Sequence, residues 1–108
     1  MALTTNTSTN TGGIANKAVG VVVTDGGAAA VTTFSLGFAP RHIEFINLTD
    51  RIGYEWYEGM TSPGALKSAA AGTRTLETTE GITVSGSTFT IPTSIILASK
   101  TFAWSADG

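Results

Sequence analysis

From Ala18 onward the chain is a series of short runs rich in β-branched and aromatic residues, each closed within a few positions by Gly, Pro or Asp-Gly. That punctuation limits the fold more than any other feature. A helix needs roughly 10 residues or more of 3.6-periodic apolar spacing, and no convincing window of that kind occurs, whereas a strand needs only about four to eight. The expected fold is all-β: a two-sheet β-sandwich, jelly-roll-like, with about eight or nine strands.

Residues 18–24 (AVGVVVT) are closed by Asp25-Gly26-Gly27, and residues 28–36 (AAAVTTFSL) read as the returning strand, so a first hairpin is expected over residues 19–36. Pro40 precedes a strand over residues 41–48; Thr49-Asp50-Arg51 then turns the chain into residues 52–58, a second hairpin. Residues 60–72 read as a long connection in which 66–71 have the alanine content of a helical turn or two without an amphipathic repeat. Residues 73–79, 82–84, 89–91, 94–98 and 100–104 are short strand candidates, with Ser85-Gly86-Ser87 as a turn.

Residues two apart share one face of a strand. Ile43 and Phe45 fall on one face and Ile46 and Leu48 on the other, which requires either two covered faces or a bulge near Phe45. In the following run Ile52, Tyr54 and Trp56 oppose Glu55 and Tyr57, so Trp56 is expected in the core and Tyr57 at the surface. The expected inner faces carry Leu76, Ile82, Val84, Phe89, Ile91, Ile95, Leu97, Phe102 and Trp104.

A chain of 108 residues fits one core, expected over residues 17–108. Residues 1–16, rich in Thr and Asn and containing Gly12-Gly13, lack both the basic and the apolar region of a secretory signal. They are expected to form a flexible N-terminal arm. Charged residues are 13% of the chain, about half the usual share of about 25%, and the formal charge of -2 gives little protection against self-association. The six basic residues are scattered, which argues against a nucleic-acid partner. No apolar run approaches the roughly 20 residues of a membrane-spanning helix, so no membrane partner is expected and the protein reads as soluble. Cysteine is absent, which removes disulfides and thiolate metal sites.

The chemistry of a catalytic site is sparse. His42 is the only imidazole and lies in a strand run without the partners a nucleophilic triad needs. Glu55 and Glu58, three apart, fall on opposite faces of a strand; Glu44 could meet one of them across the hairpin, but a glycosidase acid also needs an apolar pocket. A cross-strand ion pair with Arg41 or Arg51, or solvated charge, is the simpler reading of these carboxylates. Asp50, Glu55, Glu58, Glu77 and Glu80 have no calcium-loop spacing. The glycines make turns rather than a phosphate cradle, and the sequons at Asn6 and Asn47 carry no weight. No cofactor, metal or catalytic residue is assigned, and the protein is expected not to be an enzyme. Trp56 and Trp104 read as core, while Arg51, Tyr54, Tyr57 and Met60 form the candidate protein-contact surface, being residue types enriched at interfaces.

The segments FINLTDRIGYEWYEGM and LKSAAAGTRTLETTEGITV resemble small virion structural proteins of tailed bacteriophages, in particular capsid decoration or cement proteins; the likeness covers roughly residues 37–104. It implies a protein made in the bacterial host cytoplasm and placed on the outer capsid surface, bound to the major capsid protein as a homotrimer; the low complexity of residues 1–16 adds the expectation that the arm orders on binding the shell or a neighbouring copy. Another small head or tail component is an alternative within that resemblance. A carbohydrate-binding module, stacking sugars on exposed rings, is the alternative outside it.

Overall fold

The computed structural model describes residues 16–60 and 63–108. The expected arm, residues 1–16, lies outside the described residues except for Asn16. Eight strands follow in chain order: β1 (Lys17–Val23), β2 (Thr32–Ser35), β3 (His42–Asn47), β4 (Ile52–Tyr57), β5 (Gly64–Ser68), β6 (Arg74–Ser85), β7 (Thr88–Ile91) and β8 (Thr101–Asp107). No helix occurs among the described residues, so the all-β expectation holds. The strands form one curled antiparallel sheet in the order β1-β8-β3-β4-β5-β6-β7-β2, rather than the two sheets expected.

The curl gives this single sheet a core. One end carries Phe34 of β2 and Phe89 of β7, stacked with centroids 4.8 Å apart. That end folds back over β8 and β3: Phe34 lies 5.5 Å from the Trp104 ring and 6.0 Å from Phe45, and Phe89 meets Trp104 edge-on at 5.4 Å. Offset and edge-to-face rings add to burial because ring edges are electropositive and faces electronegative. Ile43, Phe45, Phe102, Ile82 and Ile91 complete the buried cluster. The bend is carried by β6, whose twelve residues pair first with β5 and at the far end with β7. Residues 73–79 and 82–84 are therefore one strand with Gly81 inside it. Gly81 packs so closely on the Gly64 backbone, next to a register shift in β5, that a Cβ would have no room.

The hairpin over residues 41–58 is present as β3 and β4, in register from His42 opposite Tyr57 to Asn47 opposite Ile52. No bulge flips β3: Ile43, Phe45 and Asn47 are buried, and Ile46 and Leu48 fall on the other face. The hairpin turn is specified by Asn47, the one buried polar residue among the described ones. Its carbonyl accepts the Asp50 N–H at 2.9 Å, its amide donates to the Asp50 carboxylate at 3.0 Å, and Lys100 Nζ reaches the other Asp50 oxygen at 3.1 Å. Both Asn47 amide atoms are thus engaged in the interior, which disposes of its sequon.

Four expectations need correcting. The hairpin over residues 19–36 does not form: β1 and β2 lie on opposite edges, because β8 supplies the partner of β1 and β7 that of β2. Residues 64–68, read as part of a loop with helical character, form β5 between β4 and β6, where ladder bonding outweighs alanine's helix propensity. Residues 94–98 are a turn in which the Ile95 and Ile96 N–H groups both donate to Pro92 O, driving both side chains into the core. Leu76 and Leu97, expected inside, are exposed.

Candidate contact surface

The register tiles the outward face of the sheet in rows that run from β1 across β8 and β3 to β4 and beyond. One row is Lys17, Asp107, His42 and Tyr57; the next is Val19, Ser105, Glu44, Glu55, Leu66 and Leu76; a third is Val21, Ala103, Ile46 and Gly53. Val23, Thr101 and Leu48 extend it, the Leu48 N–H donating to Thr101 O at 2.8 Å. Alternate positions face inward: Gly20, Trp104, Phe45 and Tyr54 form one such row.

The first row is a chain of contacts across four strands. Lys17 Nζ lies 3.8 Å from Asp107, His42 Nδ1 lies 3.5 Å from the other Asp107 oxygen, and the His42 ring stacks on Tyr57 at 4.7 Å. The Tyr57 hydroxyl then donates to Glu55 at 2.6 Å, and this bond to a carboxylate raises the phenol above its ordinary value. His42 is held in this row by the Tyr57 ring and the Asp107 carboxylate.

Of the four residues chosen from the sequence, two come together. The Tyr57 N–H donates to the Met60 thioether at 3.1 Å, and the Met60 N–H to Tyr57 O at 3.0 Å, so Met60 caps the end of β4 with its side chain partly packed on the core. Arg51 is exposed in the β3–β4 turn with φ 57°, about 20 Å from Tyr57 along the strand. Tyr54 is buried on the inward face. There it lines a small cleft of about 40 Å³ with Lys67, Glu77, Glu80, Ser94 and Ile95. Burial raises the Tyr54 phenol, and the Glu77 and Glu80 carboxylates raise it further.

Glu44 stands directly opposite Glu55 on the open face. Two like charges in a cross-strand pair repel, and the Tyr57 hydroxyl offsets this on one side. Arg41 pairs with Glu58 at 3.4 Å, both well exposed. No cluster of three or more metal-ligating side chains occurs among the described residues, nor any helix long and apolar enough to cross a membrane.

One exposed apolar group was missed in the sequence. Val19, Val21 and Val23 of β1 are 70%, 67% and 74% exposed. They share the outward face with Leu48, Tyr57 and Leu76, also exposed. The alternation Lys17, Val19, Val21, Val23 was present as a signal, but an assumed β1–β2 hairpin concealed that β1 is an edge.

Comparison with known proteins returns no match: no family model matches the chain, and no curated protein or solved structure matches it significantly.

Proposed function

We propose that the chain is a structural virion protein that attaches to the outside of a bacteriophage capsid and acts through protein contacts made by the outward face of its sheet. The observation that carries this reading is that Val19, Val21, Val23, Leu48, Tyr57 and Leu76, all exposed, lie on one face of a sparsely charged protein. Of these, Val19, Val21 and Val23 are neighbours along β1 and continue through Ala103 to Ile46, whereas Glu44 and Glu55 stand between them and Leu76; an exposed apolar group of this kind marks a surface that other proteins cover. The major capsid protein is the proposed partner, as the resemblance implies.

A carbohydrate-binding role draws less support. Sugar stacking needs an open ring face, but Trp56 is buried, Trp104 packs inward against Phe34 and Phe89, and one face of Tyr57 is taken by His42.

The test is co-sedimentation of the purified protein with particles of the encoding virus that lack it. Saturable binding at a fixed copy number, lost in Leu76→Lys and Tyr57→Lys and kept in Thr90→Lys at the polar β7 end of the same face, is the expected result. Absence of the protein from purified particles, or binding indifferent to the outward-face variants, would overturn the proposal.

A further inference from the structure

Glu77 and Glu80 are three apart in β6, a spacing that sends two side chains to opposite faces of a regular strand. β6 is not regular there. Ala65 pairs with Glu77, but Gly64, the preceding residue of β5, pairs with Ile82, so residues 78–81 have no partner in β5. A bulge of this kind re-aims the side chains it carries. Both carboxylates line the cleft of about 40 Å³ that Tyr54 also lines.

Tyr54 gives an independent sign that something is held there. The residue is 6% exposed, yet its hydroxyl has no hydrogen-bond partner among the described residues. A hydroxyl so nearly buried is normally paired, with protein or with a group bound beside it. After burial itself, Glu77 and Glu80 are what push this phenol up, so their negative charge reaches its oxygen. Neither carboxylate has an ion-pair partner among the described residues. Lys67 lines the same cleft, but its Nζ sits over the Tyr54 ring, 6.0 Å from the centroid, and outside ion-pair distance of both carboxylates.

Ser94, in the turn after β7, brings a second hydroxyl, and the buried Ile95 closes the cleft toward the core. The ligating atoms on offer are therefore all oxygen, from two carboxylates and two hydroxyls. Hard cations take such oxygens. Calcium accepts an irregular set completed by water, whereas magnesium demands near-ideal octahedral geometry. A space of about 40 Å³ admits an ion with one or two waters.

We propose that the cleft formed by Tyr54, Glu77, Glu80 and Ser94 binds a calcium ion, with the two carboxylates as charged ligands and the Tyr54 hydroxyl as a neutral one. Lys67 weakens the site, because its ammonium faces the same space. With two carboxylates opposed by one lysine, the dissociation constant is expected at about 10⁻⁴–10⁻³ M, the weak end of calcium sites. The cleft uses nothing of the outward face, so the proposal stands or falls independently of capsid attachment.

Calorimetric titration of chelator-treated protein with calcium chloride tests it. Glu80 is exposed in the bulge, and Glu80→Gln is expected to weaken binding by about tenfold or more through the lost ligand charge. Tyr54→Phe keeps the ring and is expected to weaken binding several-fold, whereas Lys67→Gln is expected to tighten it, a change that a merely structural role would not produce. Glu58→Gln, at a residue paired with Arg41 outside the cleft, is expected to leave binding unchanged. A second measurement reads the phenol directly. The chain has two tyrosines, so in Tyr57→Phe protein Tyr54 is the only phenol. A cation beside it favours its charged form, and saturating calcium is expected to move its absorbance titration to lower pH. No binding up to about 10 mM calcium, magnesium bound as tightly as calcium, unchanged affinity in Glu80→Gln, weaker binding in Lys67→Gln, or an unmoved phenol titration would overturn the proposal.

Discussion

The Trp104 indole lies against the bare backbone of Gly20: a Cβ at position 20 would sit 2.6 Å from Nε1 and 2.7 Å from Cε2. The two residues face each other in the β1–β8 ladder, and the same indole meets Phe34 and Phe89 on its other sides. The ring is therefore gripped between the edge strand and the folded-back end of the sheet.

Gly20→Ala is expected to destabilise the protein by about 1–3 kcal/mol, the range for overpacking a filled core. That exceeds the roughly 0.5–1 kcal/mol that replacing a strand glycine would otherwise return. Urea unfolding followed by tryptophan fluorescence measures it; an unchanged or raised midpoint would show that the indole has room to move.

Asn47→Ala removes both contacts to Asp50 and leaves the Asp50 N–H without its acceptor. Loss of a buried hydrogen-bond partner costs about 1–3 kcal/mol, so a drop of that size is expected in thermal or urea unfolding. Asn47→Asp is expected to cost more than a simple isostere would, because a second carboxylate is then held beside Asp50. If Asn47→Ala unfolds like the parent, the turn is fixed by Lys100 and the backbone instead.

These two sites also show what the sequence could and could not reveal. The β3–β4 hairpin was legible because both strands and their turn are contiguous, so alternation alone assigned Trp56 inward and Tyr57 outward. Tyr54 shares the parity of Trp56, and its inward position was equally legible, although interface composition placed it in the contact set. The partner of β1 was not legible. It is β8, more than 75 residues away, and a local Asp-Gly-Gly turn signals a hairpin whichever strand finally pairs. The notch between Gly20 and Trp104 and the valine edge both follow from that distant pairing. Glu80-Gly81 likewise reads as a break, although Gly81 serves close backbone approach within one long strand.

The chain has two tyrosines, and both phenols are raised above 10.0, Tyr54 chiefly by burial and Tyr57 chiefly by its bond to Glu55. A raised folded-state value means the folded protein holds these protons more tightly than the unfolded chain does. The stability they contribute is full below about pH 10 and is lost as pH rises through the folded values. Absorbance titration near 295 nm is expected to show less phenolate at pH 10 than two free tyrosines would give, with Tyr54→Phe and Tyr57→Phe separating the two steps. Either phenol titrating at or below the ordinary value would contradict the assigned contact.

Glu44 and Glu55 face each other across the β3–β4 ladder on the open side of the sheet, a pairing whose repulsion works against folding. Glu44→Gln keeps the shape and removes one charge, so it is expected to stabilise the protein by about 0.2–1 kcal/mol, the range for cross-strand pairs. Because both groups are partly exposed, salt screens them: at about 1 M salt the Debye length is near 3 Å, and most of the gain is expected to vanish there. Thermal unfolding of parent and variant at low and high salt measures both effects. The Tyr57 hydroxyl is the donor that relieves Glu55, so Tyr57→Phe is expected to enlarge the gain from Glu44→Gln. Additive effects of the two substitutions would mean that the repulsion and the hydroxyl bond act independently.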